Sequence, residues 1–369
     1  EDAFNQAKNQ IANLAQGEFN EWVKKGFVDC RVIEGELRFF RSFLPNLFRV
    51  CEEAAKRAGW PGEEARKAVE LRRQHIDSVV KKARKCGRPY VKPVRNRVVM
   101  KLTVKPVVPE GERVRVWMPF PRKDALQPEV NLLSTKPEEY VLASEESPQR
   151  TIYFETVSNG RELEFSVEYE YTVYAFYVKV NPEDVRECES EKLYREYTRE
   201  QPPHIVFTPY LRRLAEEIVS GERNPYLKAW RIYKWITKHV RYALVLEYST
   251  IECIPEYAAR NLKGDCGVQA LLFITLCRIS GVLARWESGW YVDPVKTSPH
   301  DWARFYVEPY GWLYADPSIG GHMASVGEFY HKFYFGNTDH FRLIFNVDIS
   351  SQFTPPKQYH RSDNLDNQR

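Results

Sequence analysis

Lys263-Gly264-Asp265-Cys266-Gly267-Val268-Gln269-Ala270 sets a cysteine between two glycines, immediately ahead of the apolar run Leu271-Leu272-Phe273-Ile274. This pattern predicts Cys266 at a helix N-terminus. Unpaired backbone N–H groups and the positive end of the helix dipole favour the thiolate there, the form that attacks carbonyls. The flanking glycines are expected to let a substrate approach the backbone closely. A cysteine before a helix is more often a small buried hydrophobe, so chemistry needs further residues.

Those residues follow downstream. Pro299-His300-Asp301-Trp302-Ala303-Arg304-Phe305-Tyr306-Val307 places a histidine at the start of an expected strand, 34 residues after the cysteine. Gly311-Trp312-Leu313-Tyr314-Ala315-Asp316-Pro317-Ser318 ends the next strand on an aspartate, 16 residues beyond the histidine. Together they supply the nucleophile, base and orienting carboxylate of covalent thiol catalysis. A tight hairpin about Tyr310 would set Asp316 opposite Arg304, four residues from His300. A wider loop or a shifted register is therefore expected. Strand alternation allows Asp301 to face solvent, whereas Trp302 shares the face of His300 and could wall the thiol from water.

These three motifs, in this order, resemble those of the transglutaminase-like superfamily: a Gly-Asp-Cys-Gly helix start, a His-x-Trp strand and a Gly-Trp…Asp-Pro strand end. The resemblance extends upstream to Tyr226–Tyr242 and onward through Arg278–Arg285, covering roughly residues 205–346. It implies a papain-like core and acyl transfer from a carboxamide through a thioester. By position it makes Cys266 the nucleophile, His300 the general base and then acid, and Asp316 its partner. The Cys266 backbone N–H becomes the first oxyanion donor. The second donor comes from a side chain upstream of the cysteine; Tyr257 is a guess that no motif supports. Bacterial members with an additional β-domain point toward hydrolysis by a cysteine protease or amidase. The alternatives are a protein-glutamine γ-glutamyltransferase, cross-linking or deamidating, and a binding or scaffold protein that keeps the fold without turnover. Loss of a triad member would mark the scaffold, and all three are present. A peptide N-glycanase is disfavoured because no C-x-x-C pair is present to bind zinc.

The rest of the chain bounds the reading. A length of 369 residues suggests two or three domains. Residues 1–90, rich in Ala, Glu, Lys and Arg, are expected to form three or four helices broken near Gly17, Gly26 and Gly59–Gly62. From about 95 to 180 the period becomes two. Leu163, Phe165, Val167, Tyr169, Tyr171 and Val173 alternate with polar residues, which predicts an antiparallel β-sandwich. A charged, irregular connection is expected over 181–205. Thr208-Pro209 and Asn224-Pro225 then read as helix starts. The expected organisation is a helical region over 1–90, a β-sandwich over 91–182, a catalytic core over 183–353 and a polar tail over 354–369. The fold class is α+β.

The net charge of +4 is small for this length and does not imply nucleic acid. The basic group Arg72, Arg73, Lys81, Lys82, Arg84 and Lys85 is expected on the solvated face of a helix. No run of about 18 apolar residues is present to span a membrane. The opening at Glu1, without an initiator Met or leader, is compatible with a trimmed product and leaves the compartment open, the periplasm or the exterior being slightly favoured over the cytoplasm. The seven cysteines are scattered, leaving disulfides open. His322, His331 and His340, spaced by nine, do not share one helical face and read as incidental. No cofactor or metal is called for, and the expected partner is a peptide or protein substrate.

Overall fold

The apolar run behind Cys266 forms α10 (Cys266–Ile279), which is buried along its length from Cys266 to Arg278. A helix that is apolar on all sides belongs inside a core. Here it is enclosed by α7 (Pro209–Val219), α8 (Pro225–His239), α9 (Ile254–Asn261) and a five-stranded sheet. The computed structural model describes residues 3–105 and 108–357. Both predicted helix starts are capped as expected: the Thr208 side chain accepts from the Leu211 N–H, and that of Asn224 from the Tyr226 and Leu227 N–H groups.

The sheet comprises β11 (Ala284–Val292), β12 (Thr297–Val307), β13 (Gly311–Ala315), β14 (Phe335–Gly336) and β15 (Arg342–Asn346), in the order β14-β13-β12-β11-β15. All its ladders are antiparallel. Phe273 of α10 meets Phe305 of β12 edge-on, with centroids 6.0 Å apart. The β12–β13 hairpin closes with Val307 opposite Gly311 and places Ala303 opposite Ala315. Gly311 takes the positive φ of 73° that the turn demands. Two short helices, α11 (Pro317–Met323) and α12 (Glu328–Phe333), link β13 to β14.

Ahead of this core lie β3 (Tyr90–Val104), β4 (Arg113–Pro119), β5 (Glu129–Lys136), β6 (Val141–Leu142), β7 (Thr151–Val157) and β8 (Leu163–Phe176). They make two three-stranded antiparallel sheets, β3-β8-β5 and β4-β7-β6. On β8 the expected alternation holds: Phe165, Val167, Tyr169, Tyr171 and Val173 are buried, while Glu168 and Glu170 pair outward with Arg97 and Arg95 of β3. Phe154 of β7 packs on Phe165 of β8 at 5.8 Å, joining the two sheets. Their apolar faces continue into the cluster around α10. β3 begins at Tyr90, earlier than expected, because Pro93 sits at a register shift between Val91 and Val94 that spares the ladder its missing N–H.

The N-terminal region departs from an all-helical reading. α1 (Ala3–Lys8), α2 (Gln16–Lys24), α3 (Phe43–Val50), α4 (Glu52–Arg57) and α5 (Glu63–Cys86) are helical, but β1 (Cys30–Ile33) and β2 (Glu36–Phe39) form a hairpin. Glu34 and Gly35 both adopt positive φ, as a two-residue hairpin turn requires. Gly17 lies inside α2 rather than breaking it. A separate apolar cluster holds residues 3–58, whereas α5 packs with Ile319 and Phe341 against the core. Arg72 of α5 is not part of a solvated basic face: it donates to the Tyr291 hydroxyl at 2.8 Å and pairs with Asp293 at 3.1 Å. Residues 181–205 include a helix, α6 (Glu191–Thr198), capped by Ser190. Of the expected tail, Pro355 is tied down, its carbonyl accepting from Trp117 Nε1 at 2.9 Å; residues 358–369 lie outside the described residues. No described helix is long and apolar enough to cross a membrane.

Candidate active site

Cys266 stands at the first turn of α10, behind Asp265 as N-cap. Asp265 Oδ1 accepts from the Val268 N–H at 3.1 Å and from the Tyr248 hydroxyl at 2.5 Å, fixing the turn that presents the thiol. The glycines serve packing. A Cβ on Gly264 would lie 2.3 Å from Val268 Cγ1, and one on Gly267 would lie 2.3 Å from the Tyr248 hydroxyl and 2.7 Å from Asp301 Oδ2. The expectation that they open the backbone to substrate gives way to this closer cause. Cys266 is only 6% exposed.

The thiol is within 3.6 Å of Asp301 Oδ2. Asp301 is buried, not solvent-facing, because the loop carrying Tyr248 and the start of α10 cover this end of β12. The helix terminus favours the thiolate, and the Asp301 carboxylate acts in the opposite direction.

His300 and Asp316 meet directly. His300 Nε2 lies 2.7 Å from Asp316 Oδ2, both residues being buried. The hairpin register resolves the spacing problem. With Ala303 opposite Ala315, the next residue, Asp316, falls beside Trp302 rather than Arg304, and diagonal neighbours on one sheet face are within reach of each other. Asp316 is also the N-cap of α11, its Oδ1 accepting from Ser318 Oγ and the Ile319 N–H, each at 3.0 Å. Burial by itself would raise the Asp316 pKa. The charges of His300 and Arg342 and the hydrogen bonds outweigh it, holding the carboxyl far below its ordinary range.

Around the imidazole, Trp302 stacks at 5.8 Å and Tyr291 stands edge-on at 5.6 Å. Trp302 is 1% exposed and donates from Nε1 to Glu287 at 2.7 Å, which fixes the ring that stacks on the imidazole. The residue that sequence reasoning missed is Arg342. Fully buried on β15, it donates to Asp316 Oδ2 at 2.8 Å and Asp339 Oδ1 at 3.3 Å, and lies over the rings of Trp302 and Tyr291. No spacing rule links it to the triad motifs, since β15 lies two strands from β12 and three from β13 in the sheet order.

Other candidates scatter. Tyr257 lies on α9 in the wall of a separate cavity. Tyr242 is the tyrosine electrostatically coupled to the thiol: burial first, then the neighbouring Cys266 and Asp265, push its phenol well up. His331 bonds Thr237, His340 bonds the Lys92 carbonyl and His322 packs on Tyr242. Among the described residues no cluster could hold a metal ion. All seven cysteines are free thiols.

Residues 212–317 match the family model of the transglutaminase-like superfamily. This segment is similar to a transglutaminase-like core. It contains Cys266 and His300 and closes on Asp316-Pro317, so the buried histidine–aspartate contact lies within the transglutaminase-like match. Comparison with curated protein sequences gives no match. Among solved structures, a candidate cysteine protease from Cytophaga hutchinsonii is similar, with 16% identity over 62% of this chain and 78% of that chain and a TM-score of 0.47. The periplasmic domain of TgpA from Pseudomonas aeruginosa shares 12% identity over 67% of this chain and 76% of its own, with a TM-score of 0.34.

Proposed function

We propose that this chain catalyses thiol-dependent acyl transfer on peptide or protein amides, with Cys266 as nucleophile, His300 as base and then acid, and Asp316 as the group orienting the imidazole. The observation carrying this reading is the 2.7 Å contact between His300 Nε2 and Asp316 Oδ2. An ionised Asp316 can only accept, so Nε2 carries a proton and Nδ1 is left to take one from the thiol. Sulfur then attacks the amide carbon, with the Cys266 backbone N–H assigned to the oxyanion. His300 returns the proton to the leaving nitrogen, the C–N bond breaks and the acyl group remains on sulfur as a thioester. Water, deprotonated by His300, attacks the thioester and releases the acid and the thiol.

Water as acceptor, making a protease or amidase, follows the β-rich segment that precedes the core; an amine acceptor would make a γ-glutamyltransferase. In this reading residues 183–353 hold the catalytic core, with the helical region 1–90 and the β-sandwich 91–182 beside it. Incubation with glutamine-containing peptides, with and without a primary amine, tests it. Mass spectrometry should reveal cleavage or deamidation in both arms if water is the acceptor, and amine incorporation if an amine competes. Unmodified peptides with no acyl adduct on Cys266 would favour the scaffold alternative.

A further inference from the structure

A cavity of about 370 Å³ opens between the β1–β2 hairpin and the segment leading into α10. Its wall includes Lys263, three residues before Cys266 in the chain, and Tyr257 of α9, the helix that precedes it. The cavity thus reaches the strand residue Lys263 that leads into α10, while Cys266 itself is outside its lining. Its lining holds four cations, Arg31, Arg38, Arg41 and Lys263, against the single carboxylate of Asp29. That carboxylate is already engaged by Lys263 and by Asn46 Nδ2.

The hairpin sharpens the imbalance. Arg31 and Arg38 are directly opposite each other across the ladder, so both side chains leave the same face, and like charges so placed are destabilising. Arg38 has only an exposed partner on its own strand, Glu36, and such a pair is weak. Among the described residues, neither Arg31 nor Arg41 has an ion-pair partner. A two-stranded hairpin is marginal alone, yet this one faces two guanidinium groups toward a concave, partly aromatic site containing Phe39 and Tyr257.

We infer that this cavity binds a carboxylate of the substrate peptide, from an acidic side chain or a free C-terminus, through Arg31 and Arg38. The meaning of that segment as substrate rests on the acyl-transfer reading; the binding itself does not.

The test uses the full chain carrying Cys266→Ala and dye-labelled peptides centred on glutamine, read by fluorescence anisotropy. Peptides with a flanking Glu are compared with their Gln isosteres, each with a free or amidated C-terminus. The carboxylate forms should bind at least tenfold tighter, with the gap narrowing as salt is raised. The arm showing the gap identifies the carboxylate. Arg31→Gln/Arg38→Gln should remove the preference without lowering the melting temperature, both residues being exposed and the repulsion between them relieved. Equal affinity for charged and neutral peptides, or a preference that persists in the double variant, overturns the inference. So does binding to phosphatidylserine vesicles without any peptide preference. Failure of Cys266 to form a thioester in the unmutated protein would overturn the acyl-transfer reading and leave the binding result standing.

Discussion

His300 Nε2 touches Asp316 Oδ2 at 2.7 Å although the strand register sets Asp316 beside Trp302, not beside the histidine. The aspartate reaches diagonally because it has left β13 and caps α11. Its second oxygen is held there by Ser318 and Ile319. One residue thus ends a strand, starts a helix and orients an imidazole.

Asp316→Asn tests that orientation. An amide at this position can offer an N–H to Nε2, which selects the other tautomer and places the proton on Nδ1. Turnover should fall about 10³–10⁴-fold, the scale for an orienting carboxylate in such a site. Steady-state kinetics would measure it, and loss of less than tenfold would remove Asp316 from the mechanism.

Arg342 is expected to matter for stability first. Arg342→Met leaves Asp316 and Asp339, both buried, without their shared cation. Removing one partner of a buried charge network costs about 3–5 kcal/mol. Urea titration followed by circular dichroism should register that loss; a midpoint within error of the unmutated protein contradicts it.

Reactivity should single out Cys266. Cys86 is exposed, but iodoacetamide near neutral pH should modify Cys266 first because of its place on α10. Cys277 should stay unlabelled, its thiol pushed well up by complete burial. Peptide mapping after brief alkylation gives the order, and prior labelling of Cys86 or Cys30 would count against the assignment. Cys266→Ala should abolish turnover and preserve the fold.

Gly267→Ala should be destabilising by about 1–3 kcal/mol, the usual cost of overpacking. Its methyl group would meet the Tyr248 hydroxyl, which is already bonded to Asp265. Adding Tyr248→Phe should recover part of the loss, and thermal melting of the single and double variants measures the coupling.

Acid should weaken the fold through His75. Burial first, then His340 with its ring 4.1 Å away, lowers the His75 pKa to about 3; Asp339 opposes this and Lys92 adds to it. The unfolded chain therefore takes up a proton near pH 6.5 that the folded chain refuses. Stability present above that pH is lost as pH falls toward the folded value, at up to about 1.4 kcal/mol per pH unit. Urea midpoints between about pH 7 and pH 4 should show this slope, and His75→Phe should reduce it, the remainder coming chiefly from His322, whose pKa burial lowers to about 4.

Much of the fold was legible because local signals agreed with the tertiary outcome. The two-residue period of β8, the Pro-led helix starts at Thr208 and Asn224 and the apolar run of α10 each report which faces are buried. The β1–β2 hairpin was not legible. Its strands are exposed, with Val32 at 70% and Leu37 at 48%, so burial leaves no periodic imprint on the residues.

The thiol chemistry shows the same division. By itself the sequence determined that Cys266 begins a helix, that His300 lies on one strand and Asp316 directly follows the next, and that the order of motifs is transglutaminase-like, because turn residues and apolar runs act over a few positions. Only the tertiary structure decided that Asp301 touches the thiol, that Arg342 secures Asp316 and that the hairpin sets Arg31 and Arg38 side by side on the wall of one cavity. Those contacts join residues tens to hundreds of positions apart. Register and packing set them, and no spacing along the chain encodes either.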